Sequence, residues 1–254
     1  MSGTNFTIGR LRVGPHACGP LGIGSGASLA SASPSFDQRI GMVGAEFGPT
    51  GFCPQDPVEH KVITDRSPSL GYGANPGNDP AGLRHLAVWR AAQQVAARCR
   101  CGHEHLEVLS FDLTGALDTG RLGFDRAAIK ALAQAMSSTD YGFGVSTLAP
   151  SLTAARHRLE SHDGPATLTI LSDFQLTDMA TISELDDFPA WVHAVVFTAP
   201  VPSELQALAD AGDIAVTRVT PTDRAATVAL AVYGELTRFR PDQRPPHRAR
   251  RETH

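Results

Sequence analysis

Val62-Ile63-Thr64-Asp65-Arg66-Ser67-Pro68-Ser69 sets a β-branched run directly before one carboxylate and two hydroxyls at alternate positions. β-Branched residues suit a strand, so the polar cluster falls at a strand's carboxyl end. In open α/β sheets that end faces the ligand crevice, and carboxylate, hydroxyl and water oxygens are the donors Mg²⁺ selects. Standing alone, an Asp with serines behind it more often reads as a helix N-cap cluster. A metal site needs ligands from other loops, and two later segments are candidates to supply them. Gly144-Val145-Ser146-Thr147-Leu148-Ala149-Pro150-Ser151-Leu152 offers hydroxyls where a helix begins, and Asp173 lies just beyond the apolar run Leu168-Thr169-Ile170-Leu171.

The order and spacing of these three loops resemble the von Willebrand factor A (VWA) domain family. In that family a strand-end D-x-S-x-S, a Ser or Thr in a glycine-led second loop and an Asp after a later strand form a metal-ion-dependent adhesion site. The resemblance gives these places to Asp65, Ser67, Ser69, Ser146 and Asp173. A hydroxyl followed by x-L-x-P-x-L selects Ser146, with its neighbour Thr147 as the substitute. The resemblance implies Mg²⁺ or Mn²⁺ with a coordination position open to an acidic side chain of another protein. It therefore implies a protein-protein interaction module and not an enzyme. Intracellular members of the family commonly work beside AAA+ ATPases or within stress and defence complexes, which makes such a component the implied partner. This chain departs from the family at Phe174, where Gly is usual, and in the loop from Leu70 to Pro80, which is longer than usual.

Strand-end aspartates with Mg²⁺ also serve phosphoryl transfer, so a hydrolase or phosphatase is the alternative of another class. Such an enzyme needs a second carboxylate two residues after its nucleophile, and here that position is Ser67. No Lys follows in a matching loop, the chain having only Lys61 and Lys130. A third reading keeps the fold as a metal-free scaffold.

Three segments follow from composition. Residues 1–58 hold eleven glycines with Gly-Ser and Ala-Ser-Ala-Ser-Pro stretches and read as an irregular arm, in which Phe6 to Val13 and Ile40 to Phe47 are no more than candidate edge strands. Residues 59–237 read as the VWA-like domain. Residues 238–254 carry six arginines against Asp242 and Glu252, and their prolines predict a solvated, disordered tail. Within the domain a helix is expected from Ala81 to about Cys99, started at Asp79-Pro80. A strand from His105 to Phe111 and a short return strand from Leu113 to Asp118 would make an antiparallel edge. Leu148, Leu152, Ala155 and Leu159 form an apolar stripe, so a helix leaves the Ser146 loop directly. Strands Ala166 to Leu171, Trp191 to Phe197 and Ile214 to Val219 alternate with helices Pro202 to Ala211 and Pro221 to Leu236, the last started by Thr220 and Asp223. The expected fold is α/β: a three-layer, doubly wound, mainly parallel sheet with one antiparallel edge strand.

Net charge is −4 over 254 residues, and the tail's +4 leaves −8 for the remainder, so a polyanion partner for the body is not expected. Nucleic-acid binding by the tail lacks interleaved aromatics beyond Phe239 and is the weaker reading. No apolar run reaches membrane-span length and no basic start with an apolar core opens the chain, so a cytoplasmic protein without membrane contact is expected. Cys99, Cys101, His103 and His105 lie within seven residues but are spaced poorly for zinc, so a plain helix-to-strand turn is the better reading. Cys18 and Cys53 could pair, which a cytoplasmic setting disfavours.

Overall fold

Five short runs of aliphatic and β-branched residues pair side by side in a computed structural model of the chain. The structure describes residues 44–70, 79, 83–99, 101–111, 118–137, 146–197, 200–220 and 225–241. The strands are β1 (Val58–Thr64), β2 (Glu104–Ser110), β3 (Ala166–Ser172), β4 (Trp191–Phe197) and β5 (Ile214–Val219). They lie in the order β2-β1-β3-β4-β5, and every neighbouring pair is parallel. The helices are α1 (Leu83–Arg98), α2 (Arg126–Ser137), α3 (Ala149–Leu159), α4 (Ser203–Ala211) and α5 (Ala225–Thr237). Single 3₁₀ segments span Pro68–Leu70 and Met179–Leu185.

Successive strand residues face opposite sides of a sheet, and each side here has its own core. Val62 packs with Leu86 of α1, Leu132 of α2 and Val232 of α5. Its neighbour Ile63 packs with Leu152 of α3, Leu205 of α4 and Ile182 of the second 3₁₀ segment. All seven residues of β1 and of β3 are buried, as a parallel sheet covered on both faces requires. The three-layer arrangement is therefore the expected one, and among the described residues no helix is long and apolar enough to cross a membrane.

One expectation needs correction, and two further features were not expected. The antiparallel edge strand is not seen: residues 112–117 lie outside the described residues, and beyond them Leu122 makes a single antiparallel bridge to Leu106. Gly120, at φ 65°, turns the backbone out of the extended range just before that bridge. Helix α2 was passed over, although Ala128, Leu132 and Met136 form its buried stripe at four-residue spacing and Asp125 Oδ1 accepts the Ala128 amide at 2.8 Å. The folded unit also runs past the boundaries suggested by composition. Tyr233 donates to the Gly48 carbonyl at 2.9 Å, Pro241 accepts the Phe52 amide at 2.9 Å, and the Arg238 guanidinium lies 3.7 Å from the centre of the Trp191 ring. The candidate strand Phe6 to Val13, the first half of Ile40 to Phe47, and the tail from 242 onward fall outside the described residues, and residues 44–47 are not in a strand.

Midway along β1, Lys61 is buried between two carboxylates, 3.0 Å from Glu59 and 2.9 Å from Glu107 of β2. Arg121 reaches Glu59 and Arg158 reaches Glu107, each at 2.7 Å. Burial pushes the Glu59 carboxyl up, but Arg121 and Lys61 outweigh it and hold the group below its ordinary value of 4.5. A depressed carboxyl contributes stability that is present above its unfolded pKa and is lost as pH falls through the folded one. Lys61→Ala should therefore cost about 3 kcal/mol, the low end for breaking a buried pair because both arginines remain. It should also move the acid-unfolding midpoint to higher pH, as measured by circular dichroism against pH and urea.

Candidate metal centre at the strand ends

β1 leads through α1 to β2 on one side, whereas β3 pairs on its other side, which makes the β1–β3 boundary the switch point of the sheet. Ligand crevices form outside the carboxyl ends of strands at such points. Thr64 and Leu171 are register partners, so Asp65 and Asp173 leave adjacent strand ends. The Asp65 amide donates to the Leu171 carbonyl at 2.9 Å, continuing the ladder by one bond.

Asp65 is fully buried. Its Oδ1 accepts the Ser67 amide at 2.7 Å, and its Oδ2 accepts the Ser172 hydroxyl at 2.6 Å. Burial pushes this carboxyl above its ordinary range, and the hydrogen bonds from Ser172 and Ser67 and the charge of Arg84 only partly offset it. Ser67 and Ser69 bring their hydroxyl oxygens within 2.8 Å of one another. Asp173 is 1% exposed; its Oδ1 accepts the Gln175 amide at 3.1 Å, while its Oδ2 accepts no hydrogen bond among the described residues. A buried carboxylate oxygen without a donor is costly unless something electropositive meets it. The donors and this orphaned oxygen fit a hard divalent cation.

The second loop is drawn to the third by backbone bonds. The Ser146 carbonyl accepts the Thr177 amide at 2.9 Å, and the Asp178 carboxylate accepts the amides of Leu148 and Ala149 at 2.9 and 2.8 Å. Asp178 thus caps α3 from a different loop, replacing the side-chain cap that Leu148 cannot provide. At the same end Ser151 donates to the Ser110 carbonyl of β2 at 2.9 Å. Ser146 and Thr147 are both half-buried on this loop. All five expected residues therefore lie at the carboxyl end of the sheet, Ser146 on a loop latched to the one that carries Asp173.

Sequence reasoning missed Arg84, Ser172 and Asp178. Arg84 is fully buried, donates from Nε to the Asp65 carbonyl at 2.9 Å and is ion-paired with Asp79. Ser172 was visible as a hydroxyl at the end of an apolar strand, but nothing local ties it to a carboxylate 107 residues away. Of the long loop after Leu70, residues 71–78 lie outside the described residues.

No family model matches the sequence, and no curated protein matches it. Solved structures do. The pilus adhesin SpaC from Lactobacillus rhamnosus GG superposes with a TM-score of 0.56 at 12% identity over 74% of this chain. A von Willebrand factor type A protein from Catenulispora acidiphila superposes with a TM-score of 0.51 at 18% identity over 72%. This chain has a VWA-like fold. It spans 31% of the adhesin's length and 43% of the second protein's.

A VWA-like chain with Phe174 in place of the usual glycine still bends its backbone there as glycine would, at φ 53°. Left-handed backbone costs an L-residue roughly 1–2 kcal/mol. The Phe174 amide is held by the Ser172 hydroxyl at 2.8 Å, and the ring is 2% exposed in the core with Leu148, Leu176 and Ile63. The aromatic is thus a wedge beneath the loop. Emptying a buried Phe site costs about 3–5 kcal/mol, more than the strain relieved. Phe174→Gly should therefore lower stability by about 2 kcal/mol in urea titration.

Proposed function

We propose that this chain is a protein-interaction module that binds an acidic side chain of a partner through a divalent cation, Mg²⁺ or Mn²⁺, held by Asp65, Ser67, Ser69, Ser146 and Asp173. The observation that carries the reading is the buried, unpartnered Asp173 Oδ2 beside the strand end where Asp65 is buried. One of the structures sharing the fold is named an adhesin, which accords with a binding role. When bound, the cation offers an open position to a carboxylate oxygen. Asp65 and Asp173 supply the negative charge that holds it, and the three hydroxyls add donors without further charge, so the site would stay neutral overall and an incoming carboxylate would meet the ion's exposed side and not an excess of anions. Arg84 keeps the Asp65 backbone fixed from behind.

Catalysis is disfavoured because Ser67 takes the place of the general acid, and its hydroxyl is engaged with Ser69. We place the module in the cytoplasm. The partner class implied by the family resemblance is an AAA+ ATPase or a component of a stress or defence complex.

Millimolar Mg²⁺ or Mn²⁺ should raise the melting temperature more than Ca²⁺, because a small cage of hydroxyl and carboxylate oxygens favours the smaller ions. A cation at 100 times its dissociation constant adds about 2.7 kcal/mol. Asp65→Asn should abolish that increment together with EDTA-sensitive partner capture. It should also raise the melting temperature of the cation-free protein at neutral pH. The sign follows because a carboxyl raised in the folded state costs stability once pH exceeds its unfolded value, and Asn carries no charge. A melting curve indifferent to Mg²⁺, or cation-dependent capture that survives the substitution, would count against the site.

Ser67→Asp separates adhesion from catalysis. The added carboxylate should tighten the cation, measured by calorimetry, and weaken partner capture by cancelling the field that attracts the acidic group. Undiminished capture, or new phosphatase turnover with Mg²⁺, would sink the adhesion reading.

A further inference from the structure

The opposite end of the sheet holds a different donor chemistry. Cys53 precedes β1, Cys99 follows α1 and Cys101 precedes β2, yet their sulfurs all lie within 4.8 Å of one another. The Cys53–Cys99 separation is 2.8 Å and Cys99–Cys101 is 3.1 Å, both longer than the roughly 2.0 Å of a disulfide bond. Cys99 is buried and the other two are half-buried. Glu104 Oε2 lies 3.2 Å from the Cys99 sulfur and 4.0 Å from that of Cys101.

We propose that Cys53, Cys99 and Cys101 form a structural zinc site, with Glu104 as the fourth donor. Thiolates are the ligands zinc takes in structural centres, four-coordinate and at about 2.3 Å. A tetrahedral ion at that bond length spaces its sulfurs about 3.8 Å apart, so the Cys53–Cys99 and Cys99–Cys101 pairs would open by about 1 Å or less to take it. Three thiolates and a carboxylate around a dication leave negative charge, which demands a cation nearby. Arg240 supplies it: 7% exposed, it donates from Nε to Glu104 Oε1 at 2.8 Å and from Nη2 to Oε2. His60 Nε2 lies 3.8 Å from the same carboxylate.

The histidines of the sequence motif do not belong to the set. His103 Nδ1 pairs with the Pro54 carbonyl at 3.1 Å, and His105 Nδ1 faces Glu59 at 3.4 Å. A cavity of about 790 Å³ lined by Cys99, Cys101, Glu104 and Phe124 gives an ion its way in. Occupied, the centre ties the segment before β1 to the start of β2, and Arg240 adds the segment after α5. A Cys-x-Cys pair alone is a poor zinc signature; the third sulfur comes from 46 residues upstream.

The test uses the full chain purified under reducing conditions without added metal. Elemental analysis should find about one zinc per chain. Replacement by Co²⁺ should give thiolate-to-cobalt charge-transfer absorption of an intensity matching about three thiolates, with the visible bands of a tetrahedral ion. Zn²⁺ should displace it. Cys53→Ser and Cys101→Ser should each weaken Co²⁺ binding at least about tenfold. His103→Ala should leave the charge-transfer band unchanged, because its imidazole is not among the ligands. Should a cysteine variant fail to fold, the charge-transfer intensity of the unsubstituted chain still counts the thiolates. Reduced protein with no bound zinc and no charge-transfer band would overturn the proposal. So would a disulfide between Cys53 and Cys99 in metal-free protein, or loss of Co²⁺ binding in His103→Ala.

Discussion

Burial of the Asp65 carboxylate at the end of the central strand is the constraint to which the surrounding structure answers. Its ionised form is disfavoured there, and the groups drawn around it reduce that cost without removing it. Ser67 and Ser172 each place a donor on one of its oxygens, and Arg84, itself fully buried, binds its carbonyl. Ser172 in turn accepts the amide of Phe174, whose backbone is left-handed. One hydroxyl thus connects the carboxylate of β1 to the strained turn after β3. An under-compensated carboxylate and a strained turn thus meet at one place, the combination on which the proposed function rests.

The sheet separates two kinds of donor. At the carboxyl ends of the strands gather carboxylate and hydroxyl oxygens, the donors a hard cation takes. At the amino ends gather three sulfurs and an arginine-clamped carboxylate, suited to a borderline ion held for structure. Parallel pairing produces this polarity, because every strand delivers its first residues to one edge and its last to the other. Between the two ends, Lys61 with Glu59 and Glu107 forms a buried ionic layer on one face of the sheet.

Helix α3 shows how local signals and long-range contacts divide the work. Its apolar stripe and its proline in the first turn are written in the sequence, and its observed range Ala149–Leu159 follows them closely. Its cap is not local. Asp178, 29 residues beyond Ala149, closes the free amides, and that bond also draws the Ser146 loop to the loop carrying Asp173.

Legible in the residues alone were the strands β2 to β5 and the end of β1, the helices with clear stripes, the mainly parallel α/β class and the oxygen donors near the strand ends. These are legible because strand and helix periods and the preference of polar residues for strand ends are consequences of backbone geometry over a few residues. Helix α2 was equally legible, by its stripe of Ala128, Leu132 and Met136 and by Asp125 at its start. Tertiary contacts alone show that, among the described residues, one bridge joins Leu122 to β2, that Arg84 binds the Asp65 carbonyl, and that Arg240 pairs with Glu104. The tertiary structure alone brought Cys53 to Cys99 across 46 residues and Arg240 to Glu104 across 136. Such pairings depend on strand order and register, which arise when distant segments close on a shared core, and no local pattern of residues records which partner each will meet.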